Sequence, residues 1–250
     1  MGLMIEKLLG FVMVLTRIAA FFSVIPVFNW QSIPVRIKTS MILLVSIFFS
    51  MITPLNINVK NTSTLEAALL ISNEAVYGFA LGLIVTLVFT AVKVSGLIIE
   101  REMGLAMAEI LDPLTEESAQ AMSIIMEMTF ILLFLSVNGH HLFLLTIRKS
   151  YETFPAGSTP TIPALAGGIL TAGSTLLTAG LKLAAPIFGT LLVLIITLAV
   201  LARVTPEMNI FFISFPITIS VGLLMTIAFL PFILGFVSEF ADYMSKLLPL

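Results

Sequence analysis

Five stretches of this chain contain no Asp, Glu, Lys or Arg: Thr39–Val59, Ala75–Val92, Met128–Ile147, Leu183–Ala202 and Met208–Ser238. A helix rises about 1.5 Å per residue and a bilayer's hydrocarbon core is ~30 Å thick, so ~20 mostly apolar residues make one crossing. Each stretch is long enough or nearly so. Of the 250 residues, 59% are hydrophobic and 10% charged, whereas a soluble domain is ~25% charged. The sequence predicts an all-α, polytopic integral membrane protein built from long helices in hairpins. No cysteine is present, which excludes disulfides and thiolate metal sites. The first apolar run is followed by Pro26, Asn29, Trp30 and Pro34 rather than an A-x-A-like site, so it reads as a retained helix. No connection is long enough to hold a soluble domain, and an ATPase would have to be a separate subunit.

In chain order, Glu6–Phe28 reads as the first helix, ending near Pro26 and carrying Arg17. An arginine at that depth costs ~2.5–3.5 kcal/mol on insertion scales, so it is expected to face a protein group or water. Trp30 suits a membrane interface. Pro34–Lys38 reads as a short basic connection, Thr39–Thr53 as the second helix and Pro54–Ser63 as a polar loop. Ser63 or Thr64 then caps a third helix, Leu65–Ile99, which is longer than a bilayer requires. It carries Glu74, Lys93 and Gly78-x-x-x-Gly82, a spacing that lets two helices approach closely; packing within this chain explains it more simply than an oligomer face. Ala121–Val137, with Glu127, is the fourth apolar helix, and Leu142–Phe154 follows before Pro155-Ala156-Gly157. Thr161–Lys182 is mostly Ala, Gly, Thr, Ser and Leu. It is too weakly apolar to prefer lipid and suits the interior of a protein assembly. The last long helices, Leu183–Ala202 and Met208–Gly235, are joined by the charged hinge Arg203-Val204-Thr205-Pro206-Glu207. Pro216 and Pro231 are expected to bend the final one. Basic residues lie on both sides of any alternating topology, so positive-inside counting does not orient the chain.

Glu100–Gln120 departs from this pattern. It holds six acids (Glu100, Glu102, Glu109, Asp112, Glu116, Glu117) and one base, Arg101. At helical spacing Met103, Met107, Ile110, Leu111 and Leu114 share one side, opposite Glu102, Glu109 and Glu116. Asp112-Pro113 interrupts the periodicity, with Asp112 placed to cap the helix that continues through Ser118 and Met122. A two-sided, broken, acidic segment between membrane helices suits a gate or re-entrant element. On periodicity alone an interfacial loop is the simpler account.

Chemistry-bearing motifs are missing. H-E-x-x-H, G-x-S-x-G, P-loop and GxGxxG sequences are absent, so no enzyme is expected. An intramembrane hydrolase would need Ser174 with His140 or His141, and nothing else supports it. Adjacent histidines point about 100° apart on a helix and do not chelate one ion together, so neither a metal nor a cofactor is expected. Arg17, Glu74, Lys93, Glu127 and Lys182 lie within apolar stretches. They suit either an ion path through a stand-alone secondary transporter or structural pairing, such as Arg17 with Glu74 or Glu127. Transporters usually show two similar halves, and here the halves differ.

In its order of motifs the chain resembles the FliR/SctT family of type III secretion export-gate proteins, and its flagellar FliR branch more than the injectisome one. The likeness rests on Leu201-Ala202-Arg203-Val204-Thr205-Pro206-Glu207-Met208-Asn209-Ile210-Phe211 with Ser214-Phe215-Pro216-Ile217. It extends to Arg17 with Pro26, Pro34 and Arg36, to Glu74 with Gly78 and Gly82, and to Met103 and Met107 with Asp112-Pro113. Asn138-Gly139-His140-His141, Ser150-Tyr151 and Pro155-x-Gly157 complete it. Glu207, Ser214 and Thr218 stand where the family commonly has glutamine, glycine and lysine.

The resemblance implies a non-enzymatic subunit of the flagellar protein export channel in the bacterial inner membrane, at the basal body. Its partners would be FliP and FliQ in a closed helical assembly, FlhB at the cytoplasmic entrance, FlhA, membrane lipid and unfolded export substrates, with no nucleic acid. Residues 1–182 would be FliP-like and 183–250 a FliQ-like hairpin with a C-terminal tail. The plug would be about 101–120, with Met103, Gly104, Met107, Ile110, Leu111, Asp112 and Pro113. Structural charges and hinge positions would be Arg17, Glu74, Glu127, Arg203, Pro206, Glu207, Asn209 and Pro216. Thioether side chains are flexible and polarisable, so Met103 and Met107 suit a seal that yields to varied unfolded chains.

Overall fold

The computed structural model describes residues 2–29, 33–53, 63–105, 120–158, 162–205, 207 and 210–246. Among them every regular element is a helix: α1 (Gly2–Val24), α2 (Pro26–Asn29), α3 (Val35–Ile52), α4 (Thr64–Met103), α5 (Ala121–Ser136), α6 (His140–Thr153), α7 (Ile162–Val204) and α8 (Ile210–Lys246). Five of these are long and apolar enough to cross a membrane, and α5 with α6, taken as one broken span, would make six. The chain is an all-α polytopic membrane protein.

Several boundaries differ from the expected ones, each for a local reason. The first apolar run stops at Val24 and resumes as the short α2 from Pro26, because proline cannot donate to a continuing helix but fits the first position of a new one. The basic stretch before Thr39 is not a connection. Pro34 caps α3 with φ −57° and ψ 137°, and Arg36 and Lys38 belong to the first two turns. The two stretches divided at Lys182 form one helix of 43 residues. Ala- and Leu-rich sequence propagates through the change in hydropathy because both halves favour helix. Pro186 lies inside it, where the Thr190 hydroxyl donates to the Pro186 and Ile187 carbonyls at 3.1 and 2.8 Å.

The helices sort into two compact units, 1–88 with 138–174 and 240–250, and 89–137 with 175–239. The core of the first contains Met13, Ile18 and Phe21 of α1, Ile25 at the break after it, Tyr77, Leu81 and Val85 of α4, and Phe143 and Ile147 of α6. Here Gly78 and Gly82 bring α4 onto α1. A Cβ at Gly78 would collide with the Arg17 carbonyl, and one at Gly82 would lie 2.8 Å from the Phe21 oxygen. The pair therefore packs within the chain. In the second unit Phe89 meets Phe130 and Phe134 edge-on, with centroids 5.2 and 5.6 Å apart. Val92, Ile99, Met122, Met126, Ile187, Leu191 and Ile233 are buried in the same unit.

Candidate functional site

Two polar constellations lie inside these apolar units. In the first, Arg17 is 3% exposed. Its Nε donates to Glu74 Oε2 at 2.5 Å. Its Nη1 donates to the Ser150 carbonyl and Oγ, both at 3.3 Å, and to the Phe154 carbonyl at 3.0 Å. Tyr77 and Tyr151 place their rings 4.6 and 4.1 Å from the guanidinium carbon, an arrangement that strengthens when water is excluded. The other carboxylate oxygen of Glu74 accepts the Gly157 N–H at 2.9 Å. One ion pair thus ties together α1, α4, α6 and the turn after α6. A charge so fully engaged is suited to holding helices in place rather than to carrying an ion.

The second constellation fixes the end of α4. The Gly104 N–H donates to the Arg101 carbonyl at 3.1 Å and the Leu105 N–H to the Glu100 carbonyl at 3.2 Å. Gly104 has φ +80°. Together these form a Schellman cap, whose left-handed position favours glycine. Three residues of one face of α8 receive the capped end. The Thr218 hydroxyl donates to the Met103 carbonyl at 3.1 Å. The Met103 side chain, 1% exposed, fills the notch left by Gly222, where a Cβ would be 2.6 Å from its Cγ. Phe215 lies beside Gly104, 3.7 Å from where a Cβ would stand. Nearby, a Cβ at Gly96 would lie 2.5 Å from Ser123 Cα, so α4 and the start of α5 are in close backbone contact. Glu100 reaches across that contact: its Oε2 accepts the Met122 and Ser123 N–H groups at 3.0 and 3.4 Å.

Residues 8–244 match the family model described as bacterial export proteins, family 1. The chain belongs to that family. The flagellar biosynthetic protein FliR of Escherichia coli K12 is 32% identical over 222 residues, covering 89% of this chain and 84% of that protein. The FliR proteins of Bacillus subtilis 168 and Aquifex aeolicus VF5 are 28% and 30% identical over 232 and 219 residues. They cover 91% and 87% of this chain and 88% and 83% of their own lengths. Family and relatives support a membrane component of a flagellar export apparatus.

In this member of the family the expected site residues fall in different places. Arg17 and Glu74 meet; Glu127 instead lies 3.9 Å from Lys93 in a half-exposed pair. Arg203 and Glu207 are exposed, and Pro216 is exposed within α8. Met103 is seated in the core and Gly104 caps α4. Met107, Ile110, Leu111, Asp112, Pro113, Pro206 and Asn209 lie outside the described residues. Tyr77 and Gly222 were not singled out by the sequence, and Tyr151, Ser150, Gly157, Glu100 and Thr218 were noticed there without the contacts they make here. Tyr77 stands three positions after Glu74 and could have been noticed as a ring on the same helical face; the contacts of the others carry no local signal.

Proposed function

We propose that this chain is a structural and gating subunit of the flagellar protein export channel in the bacterial inner membrane, through which unfolded substrates pass. The observation that carries this reading is helix length combined with exposure. α4, α7 and α8 contain 40, 43 and 37 residues, or about 60, 64 and 55 Å of helix. A bilayer's hydrocarbon covers ~30 Å of that. Large apolar side chains nevertheless stand exposed along α7 from Leu170 to Leu201 and along α8 from Phe212 to Leu234. The α8 stretch, about 33 Å, matches one bilayer, but the α7 stretch, about 46 Å, exceeds it, and FliP- and FliQ-like subunits in a helical assembly can cover the remainder. In this reading FlhB joins at the cytoplasmic entrance, FlhA couples export to the proton gradient, residues 1–182 are the FliP-like portion and 183–250 the FliQ-like hairpin. The chain itself performs no catalysis.

Residues 101–120 act as the stopper. The buried Met103 and the capped Gly104 anchor its first end to α8, leaving Met107, Ile110 and Leu111 as its sealing side chains around the Asp112-Pro113 break. Arg203, Pro206, Glu207, Asn209 and Pro216 serve as the hinge positions of the C-terminal portion. Deleting residues 106–119 while leaving Met103 seated is expected to raise small-ion leakage through assembled complexes several-fold. Unchanged leakage at equal assembly would overturn the gate.

A further inference from the structure

α5 begins with an unusual cap. Its cap residue, Gln120, makes no side-chain hydrogen bond to the helix it opens. The amides that such a side chain ordinarily satisfies are the second and third of the helix, here Met122 and Ser123. Both are taken by Glu100 from α4 instead. Glu100 is 3% exposed, and among the described residues no Lys, Arg or His stands within ion-pair distance of it. A carboxylate removed from water needs compensation. What compensates this one is a helix N-terminus, whose N–H groups and dipole favour negative charge. Gly96, one turn earlier, makes the reach possible by letting the two backbones touch.

We propose that Glu100 is a positioning residue: it supplies in trans the cap of α5 and so fixes where that helix starts relative to the end of α4. These two helix ends flank residues 106–119, so the bearing of Glu100 on channel closure rests on the gate reading above. The positioning itself does not. One requirement follows from the geometry: the acceptor oxygen must reach α5, and the charge strengthens those bonds only where that reach is kept. Glu100→Gln keeps an acceptor oxygen at the same reach; Glu100→Asp keeps the charge but is one methylene short; Glu100→Ala has neither.

The test is amide hydrogen exchange at the start of α5 in the intact, assembled export complex, with ion leakage measured on the same preparations. Glu100→Ala and Glu100→Asp are expected to speed exchange at Met122 and Ser123 at least ~10-fold, the change that ~1.4 kcal/mol produces, and Glu100→Gln by less. Unchanged exchange in the Ala variant, or better protection in Asp than in Gln, would overturn the proposal. Where the Ala variant fails to assemble, the Asp and Gln comparison decides alone. Exchange that follows the expected order without added leakage supports the positioning role and counts against the gate.

Discussion

Arg17 carries five N–H donors and cannot shed its charge, so an apolar helix can hold it only where other groups meet it. Glu74, Ser150, the Phe154 carbonyl and two tyrosine rings do so. Removing one member of a buried pair strands the other, at a cost of about 3–5 kcal/mol, whereas replacing both with apolar groups costs far less. Arg17→Leu is therefore expected to cut the yield of assembled complex at least ten-fold, and Arg17→Leu with Glu74→Leu to recover much of it. Immunoprecipitation of the complex measures both. A double variant no better than the single one would show that the pair's geometry, not its charge balance, is what assembly needs. Arg17 was legible in the sequence because hydropathy makes a lone arginine conspicuous. Its partner was not, since Glu74 and Glu127 are equivalent by that measure. The choice follows from Gly78 and Gly82, which bring α4 against α1, and Glu127 turns to Lys93 instead.

At the level of elements, the apolar stretches foretold the helices well, but not where they stop. α4 continues past Ile99 because Glu100, Arg101, Glu102 and Met103 are all compatible with helix. It ends at Gly104, where glycine takes the left-handed φ of +80° that closes the cap, and Thr218, Gly222 and Phe215 hold that end on α8. Gly104 is a local signal for that stop, but it is outweighed in the sequence by an apolar periodicity that runs on through Met107. The join of the two stretches in α7 was hidden for the opposite reason: a change in polarity looks like a boundary although no backbone requirement makes one. The cradle on α8 yields a graded expectation. Gly104→Ala places a side chain at φ +80° and should cost about 1 kcal/mol. Gly222→Val should cost more, because the branched side chain evicts the Met103 thioether from its notch. Thermal unfolding of the purified complex should rank them in that order; a harmless Gly222→Val would mean that the notch does not hold Met103 in place.

For the whole molecule the question is what covers the faces that the chain leaves open. Lipid tails and protein side chains differ in one testable respect: tails flow around an added bulky apolar group, while a packed helix interface does not. α7 offers a clean position for asking. Gly189 is exposed and has no heavy atom within 4 Å of where its Cβ would be, so a side chain there starts out into open space. It stands between the exposed Leu181 and Val193 on the strongly apolar part of the helix. Gly189→Trp should therefore leave the chain stable and membrane-inserted. If sister subunits cover this face, however, co-purification of FliP- and FliQ-like partners should fall at least ten-fold, because small residues are what let helices approach. If lipid covers it, the tryptophan costs nothing and assembly stays normal. An unaltered chain that is stable in detergent and brings no partner with it would remove the ground for an export-channel subunit. A selective loss of partners, with the chain itself intact, would place α7 inside the assembly, where a ~64 Å helix of exposed leucines and valines has a physical reason to exist.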